Sequence, residues 1–106
     1  MRIIVIYYKR LKNFGGIFMK IKEGFVRREV AGNNVVVAVG EASEKFNGMM
    51  KLNETGSFLW EKLEAGISRD ELVASLLEAY NVDKDTASVG VDKFIAELEK
   101  LGCIEK

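Results

Sequence analysis

The stretch MMKLNETGSFLWEKL, residues 49–63, predicts a short strand that runs directly into a helix. Met50 and Leu52 share one face of the strand, because successive side chains point to opposite faces. Asn53 follows as a suitable N-cap, since its side-chain oxygen can accept from the free N–H groups of the first helical turn. Apolar residues then recur at helical spacing until Gly66 ends the run. Strand patterns precede this stretch and helix patterns follow it, so it divides the chain into a strand half and a helix half.

Two further strands are predicted ahead of this stretch. Residues 25–30 (FVRREV) form the first and residues 35–39 (VVVAV) form the second, because β-branched residues suit a pleated surface. The intervening residues 31–34 (AGNN) favour a turn, since glycine and asparagine tolerate positive φ angles. The two strands are therefore a predicted hairpin, and the turn signal Asn47-Gly48 leads into the third strand.

Three helices are predicted after the third strand, and the first covers about residues 54–65. The second begins with a capping box, in which Ser68 and Glu71 satisfy each other's free backbone donors. The third is capped by Asp83 and ends at Gly102. The apolar stripes are Leu72, Val73, Leu76, Leu77 and Tyr80 in the second helix, and Ala87, Val91, Phe94, Ile95, Leu98 and Leu101 in the third. This order predicts an α+β domain, a small three-stranded antiparallel sheet followed by a three-helix cluster with winged-helix-like spacing.

The composition argues against several classes of function. The 106 residues suffice for one domain, and 16 basic residues balance 16 acidic ones, so the net charge is zero. A protein that neutralises many phosphates normally carries a basic excess, which argues against nucleic-acid binding. The absence of histidine removes the commonest general base and most zinc sites, and no apolar run is long enough to cross a bilayer. We therefore predict no enzymatic activity, no cofactor or metal, no nucleic-acid partner and no membrane partner.

Four residues that could bind or react each have a structural interpretation as well. The single cysteine, Cys103, fits a reducing compartment and hence a cytoplasmic location, and it is interpreted as a small semi-buried apolar residue rather than a reactive thiol. Trp60 lies off the main stripe of its helix and is interpreted as a flanking core residue rather than a ligand anchor. Met49 and Met50 point to opposite faces of their strand. Either one fills the core while the other is exposed, or the strand is a sheet edge beside an adaptable apolar groove.

Residues 1–18 do not share the pattern of the rest of the chain. Their apolar run, residues 3–8, is followed rather than preceded by basic residues, so an export signal is rejected. One hypothesis is that Met19 is the natural start, because the glycine codons at residues 15–16 can spell a purine-rich ribosome-binding sequence. The alternative is an extra strand formed by residues 3–8. The predicted organisation is an N-terminal extension, untranslated under the first hypothesis, followed by one domain at residues 19–106.

One pattern of residues runs through the third strand and all three helices. It consists of Leu52-Asn53-Glu54-Thr55-Gly56, Phe58-Leu59-Trp60, Leu63, Gly66, Leu72, Leu76-Leu77, Tyr80-Asn81-Val82, Phe94, Leu98, Leu101 and Gly102. With this pattern, residues 21–105 resemble the PqqD family, the small proteins named for coenzyme PQQ synthesis protein D. Gly90 departs from the family, in which a polar and often acidic helix former is expected.

The resemblance implies a non-catalytic peptide-binding module, the recognition element of ribosomally made and modified peptides. It implies that the leader of a precursor peptide adds as a strand against residues 49–52 and lies in the groove between that strand and the third helix. It also implies a partner enzyme, typically a radical SAM enzyme of the SPASM type with iron–sulfur clusters. The residues expected to bind the peptide are Met49, Met50, Lys51, Leu52, Gly90, Lys93, Phe94, Glu97, Leu98 and Leu101. Which flank of the third helix faces the groove is open at this point.

Two other functions stay open from the sequence. The first is a winged-helix DNA-binding protein, which needs a recognition helix rich in basic and amide side chains, whereas the second predicted helix offers only Arg69. The second is a structural subunit of an enzyme complex that binds no peptide, which the sequence does not separate from a peptide-binding module. The oligomeric state is also open, and a dimer is compatible with the sequence.

Overall fold

The strand half of the chain forms a three-stranded antiparallel sheet and the helix half forms three helices, which confirms the predicted α+β class. The computed structural model describes residues 18–44 and 48–105. The strands are β1 (Phe18–Ile21), β2 (Phe25–Val30), β3 (Asn33–Ala38), β4 (Met49–Leu52), β5 (Ile67–Ser68) and β6 (Ile104–Glu105). The helices are α1 (Glu54–Ala65), α2 (Arg69–Ala79) and α3 (Lys84–Lys100), and a short 3-10 helix covers Gly40–Glu44.

The main sheet has the strand order β2-β3-β4, and both pairs are antiparallel. Ala31 and Gly32 form the turn between β2 and β3, and both have the positive φ that a type I′ hairpin turn requires, 52° and 81°. This tight turn places Val30 opposite Asn33. As a result β3 begins two residues earlier than predicted, and Val39 lies outside it.

The sequence pattern does not predict a second small sheet, which has the order β5-β1-β6. Phe18 of β1 pairs with Ser68 of β5, and Ile21 of β1 pairs with Ile104 of β6. Strands β5 and β6 have two residues each, which is too short for an alternating pattern to be recognised. This sheet joins β1 to the α1–α2 junction and to the segment after α3.

The helices begin at the predicted caps. Asn53 Oδ1 accepts a hydrogen bond from the Gly56 N–H at 2.7 Å and so fixes the point where β4 passes into α1. Ser68 and Glu71 form the reciprocal capping box of α2, and Asp83 caps α3. Because these contacts are local in sequence, they define the helix starts independently of the packing between helices.

The core lies between the inner face of the main sheet and the helices. Trp60 is 0% exposed and its Nε1 donates to Glu64 Oε2 at 3.0 Å, so its assignment to the core is confirmed. Cys103 is also fully buried, and burial raises the pKa of its thiol to about 11. Cys103 is therefore an apolar packing residue as predicted, but it lies fully and not partly buried in the core. A buried thiol is a poor nucleophile at neutral pH.

The predictions for residues 1–17 lie outside the described residues. Phe18 is the first residue of β1, and the next residue, Met19, is 3% exposed and belongs to the core. Within residues 18–44 and 48–105, no helix has both the length and the apolar character needed to span a membrane.

Candidate functional site

Strand β4 forms one edge of the main sheet. In the described part of the chain, β3 pairs with one side of β4 and no strand pairs with the other side. An open strand edge presents backbone N–H and C=O groups to which another extended segment can bond. The predicted edge strand at Met49–Leu52 is therefore present with the predicted bounds.

The side chains of β4 alternate between the two faces of the sheet. Leu52 is 6% exposed and Met50 is half-buried, and both pack on the helix side. Met49 is 60% exposed and Lys51 is exposed, and both point away from the helices. Both interpretations of the methionine pair hold, since one methionine packs on the core and the strand is an edge.

An open groove of about 300 Å³ lies between β4 and α3. Its lining residues are Met50, Lys51, Leu52, Asn53, Gly56, Phe94 and Glu97. The apolar part is formed by Met50, Leu52 and Phe94, and the exposed Glu97 adds a negative charge. Lys51 borders the groove by its position in β4, while its side chain points to the other face of the sheet. A volume at the small end of the range for ligand pockets suits one or two apolar side chains better than a large cofactor.

Gly56, in the first turn of α1, forms the floor of this groove. An added Cβ at this position would lie 3.5 Å from Phe94 Cε1, 3.4 Å from Leu52 Cδ2 and 3.1 Å from Asn53 Oδ1. A glycine in a helix costs up to about 1 kcal/mol relative to alanine, so the residue is not explained by helix stability. Its absent side chain keeps the space between β4, the N-cap and α3 open.

The flank of α3 that faces the groove is the one with Phe94 and Glu97. The sequence alone left open which flank this would be. Phe94 is half-buried and also packs on the core, so its ring joins the groove to the protein interior. Glu97 is one turn further along and is exposed. The opposite side of α3 is held by Asp92, which accepts two hydrogen bonds from Arg69 at 2.8 and 2.9 Å.

The other predicted contact residues, on α3 and at its C-cap, fall in three kinds of environment. Gly90 and Lys93 are exposed, and open space surrounds Gly90 on the side where a Cβ would point. Leu101 is half-buried and packs on the core. Leu98 is 0% exposed and lies within the core, so it supports the groove from beneath and is not part of its lining.

Two lining residues, Asn53 and Gly56, are absent from the predicted peptide-binding residues. The sequence contains a signal for both. Asn53 is recognised only as a helix cap, yet a cap residue that follows an edge strand must lie at the end of that strand. Gly56 is a glycine inside a first helical turn, where alanine would be more stable, and such a position indicates a close approach or an open space.

The described residues offer little support for the DNA-binding alternative. Arg69, the one cation that α2 offers, is paired with Asp92 and Asp70, so its charge is engaged within the protein. Hydrogen bonds from Arg69 hold the pKa of Asp92 below its ordinary value. Within residues 18–44 and 48–105, no group of three or more His, Cys, Asp and Glu side chains is arranged to hold a metal ion.

Sequence comparison relates the chain to known proteins over most of its length. The model of the PqqD family, described as coenzyme PQQ synthesis protein D, matches residues 26–104. The chain belongs to the PqqD family. The match starts in β2 and ends in β6, so it spans both the open strand β4 and the groove-lining part of α3.

Two solved structures share the fold of this PqqD-family chain. TbiB1 in complex with the TbiA(beta) leader peptide superposes with a TM-score of 0.67 at 23% identity, and the alignment covers 81% of this chain and 94% of that one. Lasso peptide synthetase B1 complexed with its leader peptide gives a TM-score of 0.66 at 16% identity, with 83% and 98% coverage. At these identities the likeness establishes the fold. No curated protein shows significant sequence similarity to the chain.

Proposed function

We propose that this PqqD-family chain is a non-catalytic module that binds the leader region of a ribosomally made precursor peptide and presents it to a modifying enzyme. The observation that carries the proposal is the groove beside the open edge of β4. A peptide strand added at this edge extends the main sheet, and its alternate side chains point toward the groove. The two structures of the same fold, TbiB1 and lasso peptide synthetase B1, are both complexes with leader peptides, which supports the proposal.

The two parts of the site contribute differently to binding. Strand β4 has four residues, and in an antiparallel ladder only alternate residues direct their N–H and C=O groups to a given side. Each backbone hydrogen bond contributes a net stabilisation of about 0.5–1.5 kcal/mol, so the edge sets the register and supplies only part of the affinity. Apolar side chains of the leader that enter between Met50, Leu52 and Phe94 supply the rest and give the sequence preference.

The partner enzyme in this proposal is a radical SAM enzyme of the SPASM type, and the complex acts in the cytoplasm. Family membership supports this choice of partner. The gene neighbourhood provides a direct test, because a short precursor frame beside a radical SAM gene identifies both partners. A neighbourhood with a different class of modifying enzyme would replace the radical SAM partner without affecting the peptide-binding proposal.

The peptide-binding proposal is tested by titration of the isotope-labelled chain with the leader peptide encoded beside it. Amide chemical shifts are expected to change most at residues 49–52 and around Phe94 and Glu97, because these segments border the groove. Changes centred on α2, with residues 49–52 unaffected, would refute strand addition at β4.

A matched pair of variants on α3 tests the side-chain part of the site. Glu97 lines the groove, while Lys93 lies one turn earlier on the same helix and is exposed outside the lining. Glu97→Lys is therefore expected to change the Kd for the leader more than Lys93→Glu does, although both reverse one charge on an exposed position. An equal or larger effect at Lys93 contradicts the assigned groove.

The backbone part of the site is tested at Lys51. Replacing Lys51 by Pro removes one backbone donor from β4. If that N–H points outward, the variant keeps its circular dichroism spectrum and loses leader affinity. If it points toward β3, the sheet itself is weakened, and Met50→Pro then becomes the informative variant because adjacent residues direct their N–H groups to opposite sides.

A further inference from the structure

The face of the main sheet that points away from the helices carries a row of apolar side chains. Val26 of β2, Val37 of β3 and Met49 of β4 are neighbours across the three strands. They lie on the face opposite to Val36, which is 0% exposed and belongs to the helix-side core. Among the described residues, the hydrophobic core cluster contains none of the three. Val26 and Val37 are half-buried and Met49 is 60% exposed, so the row is partly accessible to solvent, most of all at Met49.

A second row on the same face combines one valine with two cations. Arg28 of β2 lies opposite Val35, and Val35 lies opposite Lys51 of β4. Val35 is only 4% exposed although it points away from the helices. The row therefore places a buried valine between two exposed basic residues that are two strands, or about 10 Å, apart.

The charges of Arg28 and Lys51 are not neutralised within the described part of the protein, where neither forms a salt bridge. The neighbouring Arg27 behaves differently, because it points to the helix side and pairs with Glu61 at 2.7 Å. The remaining strand positions of the outward face are uncharged, so the face has two positive charges and no carboxylate. Such a face complements an apolar surface edged with acidic groups.

We propose that this outward face, defined by Val26, Val37, Met49, Arg28, Val35 and Lys51, is the docking surface for the modifying enzyme, which contacts it through an apolar strip beside carboxylates. The choice of this partner rests on the proposed function. A second copy of the chain is disfavoured as the occupant, because two such faces brought together would oppose like charges.

The dimensions of the face indicate a transient contact. Strands of six residues, each spanning about 3.3 Å, and a strand spacing of about 4.8 Å give a face of about 20 Å by 14 Å. This area is well below the roughly 800 Å² per partner of a standard stable interface. A contact of this size suits a module that delivers a peptide and then releases it.

The outward face and the apolar part of the groove lie on opposite faces of β4, and Lys51 borders both. A leader strand bound at the edge of β4 would therefore leave the outward face free, and its outward side chains would lie beside Met49 and Lys51. The enzyme would contact the module and the bound leader on one continuous sheet. This arrangement predicts that leader and enzyme bind at the same time.

The test measures binding of the full chain to the purified modifying enzyme encoded beside it, with and without the leader peptide. Arg28→Glu reverses one charge of the outward face at an exposed position, and we expect the Kd for the enzyme to rise at least tenfold while the Kd for the leader stays within twofold. Lys84→Glu is the matched control, because it makes the same charge change at the start of α3. Val37→Thr removes apolar character from the other row while keeping a β-branched side chain, and it is expected to weaken enzyme binding severalfold.

The outcomes separate this inference from the proposed function. If the parent chain does not bind the leader, the proposed function fails. If the parent chain binds the leader but not the enzyme, the docking face is refuted. It is also refuted if Arg28→Glu and Val37→Thr both bind the enzyme as tightly as the parent does. An equal loss for Lys84→Glu and Arg28→Glu also refutes it, because the effect then follows net charge. Circular dichroism of each variant establishes that the chain is folded.

Discussion

Gly56 is the position at which the smallest chemical change should close the groove. In Gly56→Ala the new methyl group projects between Phe94 Cε1 at 3.5 Å and Leu52 Cδ2 at 3.4 Å, both ordinary contact distances. The contact of 3.1 Å with Asn53 Oδ1 is a few tenths of an ångström too short, so the cap must move slightly. The change therefore occupies the groove floor without a collision that would prevent folding.

The expected effects on stability and on binding have different sizes. Alanine gains up to about 1 kcal/mol of helix propensity over glycine, and a disturbed N-cap loses a similar amount, so the free energy of unfolding should change by less than about 1 kcal/mol. A leader side chain that reaches the groove floor meets the new methyl group. Overpacking of this kind costs about 1–3 kcal/mol, which raises the Kd roughly five- to 150-fold.

Calorimetric titration with the leader peptide and urea unfolding of the same samples distinguish the two effects. Gly90→Ala is a useful stability comparison, because it makes the same change inside α3 where an added Cβ has no neighbour within 4 Å. We expect Gly56→Ala to lose affinity while it remains as stable as the parent within the stated range. Unchanged affinity in a folded Gly56→Ala variant would show that no leader side chain reaches the groove floor.

Three further predictions concern the body of the domain. Leu76→Ala should lower the free energy of unfolding by about 2–5 kcal/mol in urea titrations, because Leu76 is 4% exposed and its removal leaves a cavity. A chain that begins at Met19 should fold and bind leader as the full chain does, which calorimetry and thermal unfolding can check. The Cys103 thiol should react with a disulfide reagent at pH 8 about a hundredfold more slowly than an exposed thiol. This factor counts only the smaller thiolate fraction, because burial raises the pKa of Cys103 from 9.0 to about 11.

Each of these predictions has a result that contradicts it. Coincident urea midpoints for Leu76→Ala and the parent would remove Leu76 from the core. A clear loss of stability in the chain that begins at Met19 would show that the fold needs residues before Met19, either Phe18 at the start of β1 or the residues ahead of it. Because the raised pKa reduces the thiolate fraction, labelling of native Cys103 should accelerate as the pH rises toward 11, and a rate at pH 8 equal to that in urea would contradict its burial.

The sequence predicts those features of the fold that depend on neighbouring residues. The cap contacts of Asn53, Ser68 and Asp83 each join residues within one helical turn, and the alternation in β4 is visible over four residues. The sheet β5-β1-β6 depends instead on pairs such as Ile21 and Ile104, which are distant in the chain. No local pattern carries this information, so the second sheet was beyond sequence analysis.

In the candidate site, too, neighbouring residues determine some features and the packing of distant elements determines others. Periodicity places Phe94 and Leu98 on one stripe of α3, because residues four positions apart share a face. The rotation of α3 about its own axis decides which of them meets the groove, and this rotation depends on how α3 packs against α2 and the sheets. In the structure Leu98 is fully buried, whereas Phe94 lies at the border of the core and lines the groove. Asn53 and Gly56 join the lining only because α1 starts where β4 ends.

The pairing of β1 with β6 has a consequence for how this domain can be combined with other proteins. Lys20 lies opposite Glu105 and Ile21 lies opposite Ile104, so the two ends of the described domain are adjacent strands. Paired residues of antiparallel strands have Cα atoms only about 5 Å apart. A loop of a larger enzyme could therefore open to accept the whole domain as an insertion with little change in its own geometry. Fusion at either end would likewise attach the partner at the same corner of the domain.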